Sequence, residues 1–241
     1  YQPVVRLLPK SWDLLEDKQN RFIDDNASSG FVATAFELKG QGKIVIAFRG
    51  TDNAADWTGG SHDKIGANVA LVGDGNLLSE VVGFLDPLSQ GPQGRSKEQH
   101  REFQQAMMPD WDVQFEEALN YVGRMIKKYG AENIELTGHS LGGALAQVAS
   151  HTYGLPGRAF DPAGAANIIE SKGYQQWLEK NHVTPQQNPA YGYGGEGFLN
   201  YKVNYSPVSQ DSGPHLGSED DLSAWSGRQG FGDHADYIAK A

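Results

Sequence analysis

The stretch Gly138-His139-Ser140-Leu141-Gly142-Gly143 constrains this chain more than any other. It follows a short β-branched and apolar run, Ile134 and Leu136 with Thr137, and leads into Ala144-Leu145-Ala146-Gln147-Val148-Ala149, a strong helix opening. Strand, sharp turn and helix, with Gly-x-Ser-x-Gly at the turn, is the setting of a nucleophile elbow. A serine on so tight a turn is held in a strained backbone conformation that pushes its hydroxyl out of the sheet. Gly138 and Gly142 let neighbouring backbone pass close by without a Cβ clash. The following helix points its N-terminal amides toward the place where an oxyanion forms. Ser140 is therefore the candidate nucleophile. The plainer alternative is a Gly-rich turn holding an idle serine.

A chain of 241 residues reads as one domain of the larger α/β kind, or as a domain cut from a longer protein. Such a length buries a full core without disulfide or metal staples. The formal net charge of −10 argues against nucleic acid as a partner and against a polybasic membrane anchor. With no cysteine there is no disulfide frame, and redox compartment leaves no trace. No run of about 18 apolar residues is present, so no transmembrane span is expected. The opening at Tyr1, without Met or a signal-like segment, reads as a processed or excised start.

Along the chain, residues 1–30 are polar with scattered apolar anchors. Residues 31–38 alternate like a half-buried strand, and Gly40-Gln41-Gly42 turns into the buried strand Ile44-Val45-Ile46-Ala47-Phe48, a hairpin feeding a central sheet. At its end stands Arg49-Gly50-Thr51-Asp52, followed by Asp56-Trp57. From 58 to 109 the pattern weakens into a Gly-rich stretch, readable as a lid or as an ordinary surface insertion. Residues 112–129 form the clearest helix. Phe115, Leu119, Val122, Met125, Ile126 and Tyr129 fall on one face, with Asp112 placed to cap and Gly130 to stop it. After the elbow come a short strand breaking at Asp161-Pro162, one helix over 168–180 despite Gly173, and a loop over 184–198. A strand follows at 200–205, then loop until a short helix at 235–239. Strands alternating with helices argue an α/β sheet of at least partly parallel order.

Two segments together carry a family likeness. Val45-Ile46-Ala47-Phe48-Arg49-Gly50-Thr51-Asp52 with Asp56-Trp57, and Ile134-Glu135-Leu136-Thr137-Gly138-His139-Ser140-Leu141-Gly142-Gly143-Ala144-Leu145-Ala146, resemble the two signature blocks of class 3 lipases, in the same order. The resemblance covers residues 31–165 well and the C-terminal third loosely. It is nearest in feel to the bacterial lipase-like and phospholipase A1-like branch. It implies an α/β-hydrolase fold over residues 1–241, with a mostly parallel sheet flanked by helices. It implies ester hydrolysis without metal or organic cofactor, calcium being left open, and extracellular action. It also implies that the backbone amides of Thr51 and Leu141 form the oxyanion hole. The residues agree, with one amide just after the nucleophile and the other from the turn after a core strand.

The serine needs a base, and the base an orienting acid. On this fold the chain order is serine, acid, histidine. Order removes His62, His100 and His139; His151 and His182 lie on or beside predicted helices. Of the remaining two, His234 stands in a loop just before the last helix, where it resembles the family's C-terminal catalytic histidine. His215 resembles a structural His-Leu-Gly element. The family places its acid just after the strand at 200–205, before a Pro-Val pair. Here Ser206 stands before Pro207-Val208, and the next carboxylate is Asp211. Asp211 is the expected acid, with Asp161 the main rival and Asp220 and Asp221 behind.

The leading function is a serine carboxylic ester hydrolase acting on lipid esters through Ser140, Asp211 and His234, of triacylglycerol lipase or phospholipase A1 type. Its substrate is a lipid or other ester, met at a membrane or micelle interface. A soluble-ester or feruloyl-type esterase, and a non-catalytic hydrolase-fold binding module, are the alternatives. Acyl transfer to an alcohol other than water shares the same intermediate.

Overall fold

The computed structural model describes residues 10–15, 21–23, 29, 31–50, 111–192, 196–203, 206, 208–209 and 212–222. Its first part is antiparallel. Trp12–Leu14 (β1) and Arg21–Ile23 (β2) both pair with Val32–Leu38 (β3), which pairs with Lys43–Phe48 (β4). The β3–β4 turn carries Gly40 at φ 73° and Gly42 at φ 64°, the left-handed backbone that a tight hairpin of right-twisted strands requires.

From β4 onward the pairing is parallel. Ile134–His139 (β5) lies beside β4, followed by Gly157–Phe160 (β6), Phe198–Val203 (β7) and Ser218–Leu222 (β8). The described sheet runs β1-β3-β4-β5-β6-β7-β8, with β2 on β3. Parallel neighbours need crossovers, and helices stand in those that lead into β5, β6 and β7. Val113–Tyr129 (α1) precedes β5, and Leu141–Tyr153 (α2) joins β5 to β6. Ala166–Glu170 (α3) and Lys172–Asn181 (α4) lie between β6 and β7.

The core forms where the periods of sequence meet. Ile44, Ile46, Phe48, Ile134, Leu136 and Ala159 point inward from β4, β5 and β6. Phe115, Leu119, Val122 and Met125 do so from α1, all at most 1% exposed; each side chain of that size contributes roughly 1.5–3 kcal/mol on burial. Asp112 caps α1 as expected, its carboxylate accepting from Gln114 N–H at 2.8 Å, and Gly130 stops it at φ 83°. The second helix differs in kind. Leu141 through Ser150 are all buried, as befits a helix apolar on every side, and Tyr153 Oη donates to the Leu119 carbonyl at 2.9 Å to tie α2 to α1. No helix among the described residues is long and apolar enough to cross a membrane.

Three expectations need correction. The single helix over 168–180 is two. Ser171, extended at φ −66° and ψ 149°, ends α3 and caps α4 by accepting from Tyr174 N–H at 3.1 Å. Gly173 is then no defect within a helix, because a Cβ there would collide with Trp111. The stretch after 205, read as loop, holds β8, and the polar N-terminal stretch contributes β1 and β2. The 58–109 stretch and the helix expected at 235–239 lie outside the described residues. A mostly parallel sheet with helices in its crossovers, and a serine turn leaving a central strand, is the α/β-hydrolase architecture.

Candidate active site

Register lines up the carboxyl ends of the parallel strands. Phe48 faces Gly138, His139 faces Phe160, and Phe160 faces Tyr201. In open α/β sheets ligands bind at this edge. Ser140 stands there, at φ 56° and ψ −126°, a region that costs a non-glycine residue about 1–3 kcal/mol. Its backbone is held from every side. Ser140 N–H donates to the Phe160 carbonyl at 3.2 Å, and its own carbonyl accepts from Gly143, Ala144 and Ala163 N–H at 2.9, 3.2 and 3.4 Å. The glycines flank it as the sequence requires: a Cβ on Gly138 would strike the Gly142 carbonyl, and one on Gly142 the Phe48 carbonyl.

Leu141 is the first residue of α2 and 1% exposed. Its N–H has no acceptor four residues back within the helix and lies at the positive end of the helix dipole. The other expected donor, Thr51, lies outside the described residues. Its neighbour Gly50 runs close to the elbow: a Cβ built there would be 2.7 Å from the His139 carbonyl oxygen and 3.4 Å from Ser140 Cβ.

Asp211 and His234 also lie outside the described residues. The structure does locate their rivals. Asp161 directly follows β6 at φ 43° with no exposed surface, its N–H donating to the Tyr201 carbonyl at 2.7 Å. It is fully buried just after β6, where the resemblance puts a strand-end turn. His215 is packed in place, with Nε2 3.0 Å from the Pro162 carbonyl and Nδ1 3.4 Å from Glu219 Oε1. Asp220 and Asp221 sit on β8 and are exposed. His139 ends β5, and His182 is the left-handed cap of α4 at φ 54°. The His151 Nδ1 pairs with Asn188 Oδ1 at 3.1 Å. Burial holds that imidazole below the usual histidine range, the hydrogen bond acting the other way.

Ser206, at the position where the resemblance places an acid, is 4% exposed, with its N–H on the Val203 carbonyl at 3.1 Å. Serines pin the segment around it. Ser209 Oγ reaches Val203 N and O at 3.3 Å, and Ser212 Oγ donates to the Val208 carbonyl while accepting from Gly164 N–H at 2.7 Å. The turn after β7 is thereby tied to the turn after β6. Sequence reasoning missed Gln147 and Asn200, which complete this stitching and have no exposed surface. The available signal was one amide inside the apolar run from Ala144 to Ala149, seven residues beyond Ser140.

A family model described as the Tle-like phospholipase domain matches residues 81–212, more than half of the chain. The chain belongs to the Tle-like phospholipase family. Among curated proteins, this Tle-like domain is 27% identical over 140 residues to "Putative lipase ATG15" of Eremothecium gossypii, covering 56% of the chain and 25% of that protein. It is 43% identical over 53 residues to the protein of the same name from Vanderwaltozyma polyspora, covering 22% of the chain and 9% of that protein. The domain thus spans a quarter or less of the curated relatives it matches. Both are fungal, so the placement is with lipase-like proteins at large, without preference for a bacterial branch. Among solved structures, the Lip2 lipase of Yarrowia lipolytica is similar at TM-score 0.43 and 16% identity, over 89% of this chain and 66% of that one.

Proposed function

We propose that this Tle-like phospholipase domain is a serine carboxylic ester hydrolase acting on lipid esters. The observation that carries the reading is Ser140, a non-glycine residue at φ 56° between β5 and α2, with its backbone pinned to its own helix and to the end of β6 and the turn that follows. A binding module has no use for such strain. Family membership and the likeness to fungal proteins named as lipases favour lipid among esters.

In the proposed reaction Ser140 Oγ attacks the ester carbonyl carbon while His234 takes its proton, Asp211 orienting the imidazole. The N–H groups of Thr51 and Leu141 hold the oxyanion. The carbon–oxygen bond to the alcohol then breaks, and His234 gives its proton to the leaving alcohol. Water repeats the sequence on the acyl-enzyme, releasing the acid and restoring Ser140. The proposed reaction requires no metal or organic cofactor, calcium being left open. Triacylglycerol and the acyl esters of phospholipids are the proposed substrates.

A second reading, a non-catalytic binding module, draws on Ser206 standing buried where an acid is expected. A fluorophosphonate separates the two: an activated serine attacks its phosphorus, forming an O–P bond and expelling fluoride. The expected result is labelling of Ser140, slowed by about four orders of magnitude in Asp211→Asn and in His234→Ala. Labelling lost in Asp161→Asn and kept in Asp211→Asn would move the acid to Asp161. A folded wild-type chain that never labels would leave the binding module.

A further inference from the structure

Two helical turns beyond Ser140, α2 carries the amide side chain of Gln147 on the same face. A buried primary amide is costly unless it is hydrogen-bonded, and Gln147 is bonded at both ends. Its Nε2 donates to the Ala163 carbonyl at 2.7 Å, and its Oε1 accepts from Leu216 N–H at 2.8 Å. Each partner belongs to a different turn. Ala163 follows β6, and its own N–H reaches the Ser140 carbonyl at 3.4 Å. Leu216 follows β7, and its carbonyl accepts from Asn200 Nδ2 at 2.7 Å. Around this clasp the two turns are joined directly. Gly164 N–H donates to Ser212 Oγ at 2.7 Å, Ala166 N–H to the Pro214 carbonyl at 3.0 Å, and the His215 ring meets the Pro162 carbonyl.

One side chain on the serine's own helix therefore binds both turns at once. The carboxylates weighed for the acid belong to those segments of sequence: Asp161 two residues before Ala163, and Asp211 immediately before Ser212. We propose that Gln147 is a positioning residue for the hydrolytic site, clasping the turns after β6 and β7 to the serine helix so that the acid carried by one of those segments meets Ser140 in one geometry. The inference rests on the reading of Ser140 as nucleophile. A misplacement of about 1 Å by a change remote from the chemistry costs on the order of 100-fold in rate, so the clasp matters to turnover more than to substrate binding.

The test is steady-state hydrolysis of a short soluble ester, p-nitrophenyl butyrate, with active sites counted by fluorophosphonate so that unfolded protein drops out. Gln147→Leu keeps the volume and removes both bonds. It is expected to lose about 100-fold in kcat per titrated site while KM stays within about twofold. Gln147→Glu supplies the chemical control. Protonated, the introduced carboxyl donates to the Ala163 carbonyl and accepts from Leu216 N–H; ionised, it turns an acceptor toward an acceptor. Its kcat relative to wild type should therefore climb toward acid pH, whereas the Gln147→Leu ratio stays flat. A Gln147→Leu protein with wild-type kcat per site, or a flat Gln147→Glu ratio, would reduce Gln147 to fold support alone. Wild type without Ser140-dependent turnover would remove the hydrolase reading and this one with it, an outcome distinct from the first two.

Discussion

At Ser140 the backbone is held against its preference, and what holds it is close approach as much as hydrogen bonding. The Gly142 Cα lies so near the Phe48 carbonyl that a single methyl group separates a working elbow from a displaced one. Gly142→Ala should destabilise the domain by about 1–3 kcal/mol, the usual cost of forcing atoms into a packed site, read as a lower urea midpoint. Gly192, with nothing within 4 Å of a built Cβ, is the matched control. Gly192→Ala should stay within about 0.5 kcal/mol of wild type. Equal midpoints for the two variants would contradict the close approach. Ser140 and its glycines were readable from sequence because the motif lies between a strand pattern and a helix pattern. Gln147 was not, since a glutamine is common in helices and only its total burial marks it. Nor did the sequence show that Asp161 is fully buried, on a strand end flanked by β5 and β7.

Elements were legible where period and punctuation agreed. The hairpin of β3 and β4, the nucleophile strand and α1 with its Asp112 cap and Gly130 stop are all present with bounds close to those expected. Asp112 is 5% exposed and satisfies a helix-end donor. Asp112→Ala should therefore cost about 1 kcal/mol, measured by thermal or urea unfolding; no change would deny the cap its role. The illegible elements share a cause. The β8 residues Ser218-Glu219-Asp220-Asp221-Leu222 lack alternation, and their charges are tolerated because Lys202 on β7 reaches Glu219 at 2.7 Å and Asp221 at 3.8 Å. The three-residue strands β1 and β2 are too short to show a period and exist only because β3 offers them a partner. The break at Ser171 was hidden because serine suits both a helix interior and an N-cap, and the extended backbone that decides is set by tertiary packing.

For the whole molecule, charge makes stability depend on pH in a predictable direction. His151 is held below its ordinary pKa by burial, so the unfolded chain takes up its proton first. Its contribution is fully present above about pH 6.5 and is lost as pH falls from there through the folded value. Glu219 is held below its ordinary pKa, chiefly by the Lys202 hydrogen bond, so its contribution is present above the usual carboxylate value and lost as pH falls through the folded one. Relief of self-repulsion toward the pI of about 5.1 opposes both. The informative quantity is therefore the difference between wild type and His151→Gln: the variant should lose less urea stability than wild type between pH 7 and 5, and parallel curves would contradict the assignment. The central claim is that Ser140 hydrolyses lipid esters. It is tested most directly by assaying the wild-type chain and Ser140→Ala on p-nitrophenyl butyrate, emulsified triacylglycerol and phosphatidylcholine vesicles. Lipid hydrolysis is expected to rise once the substrate forms an interface and to fall by a factor on the order of a million in Ser140→Ala. Turnover confined to the soluble ester, or retained by Ser140→Ala, would contradict it.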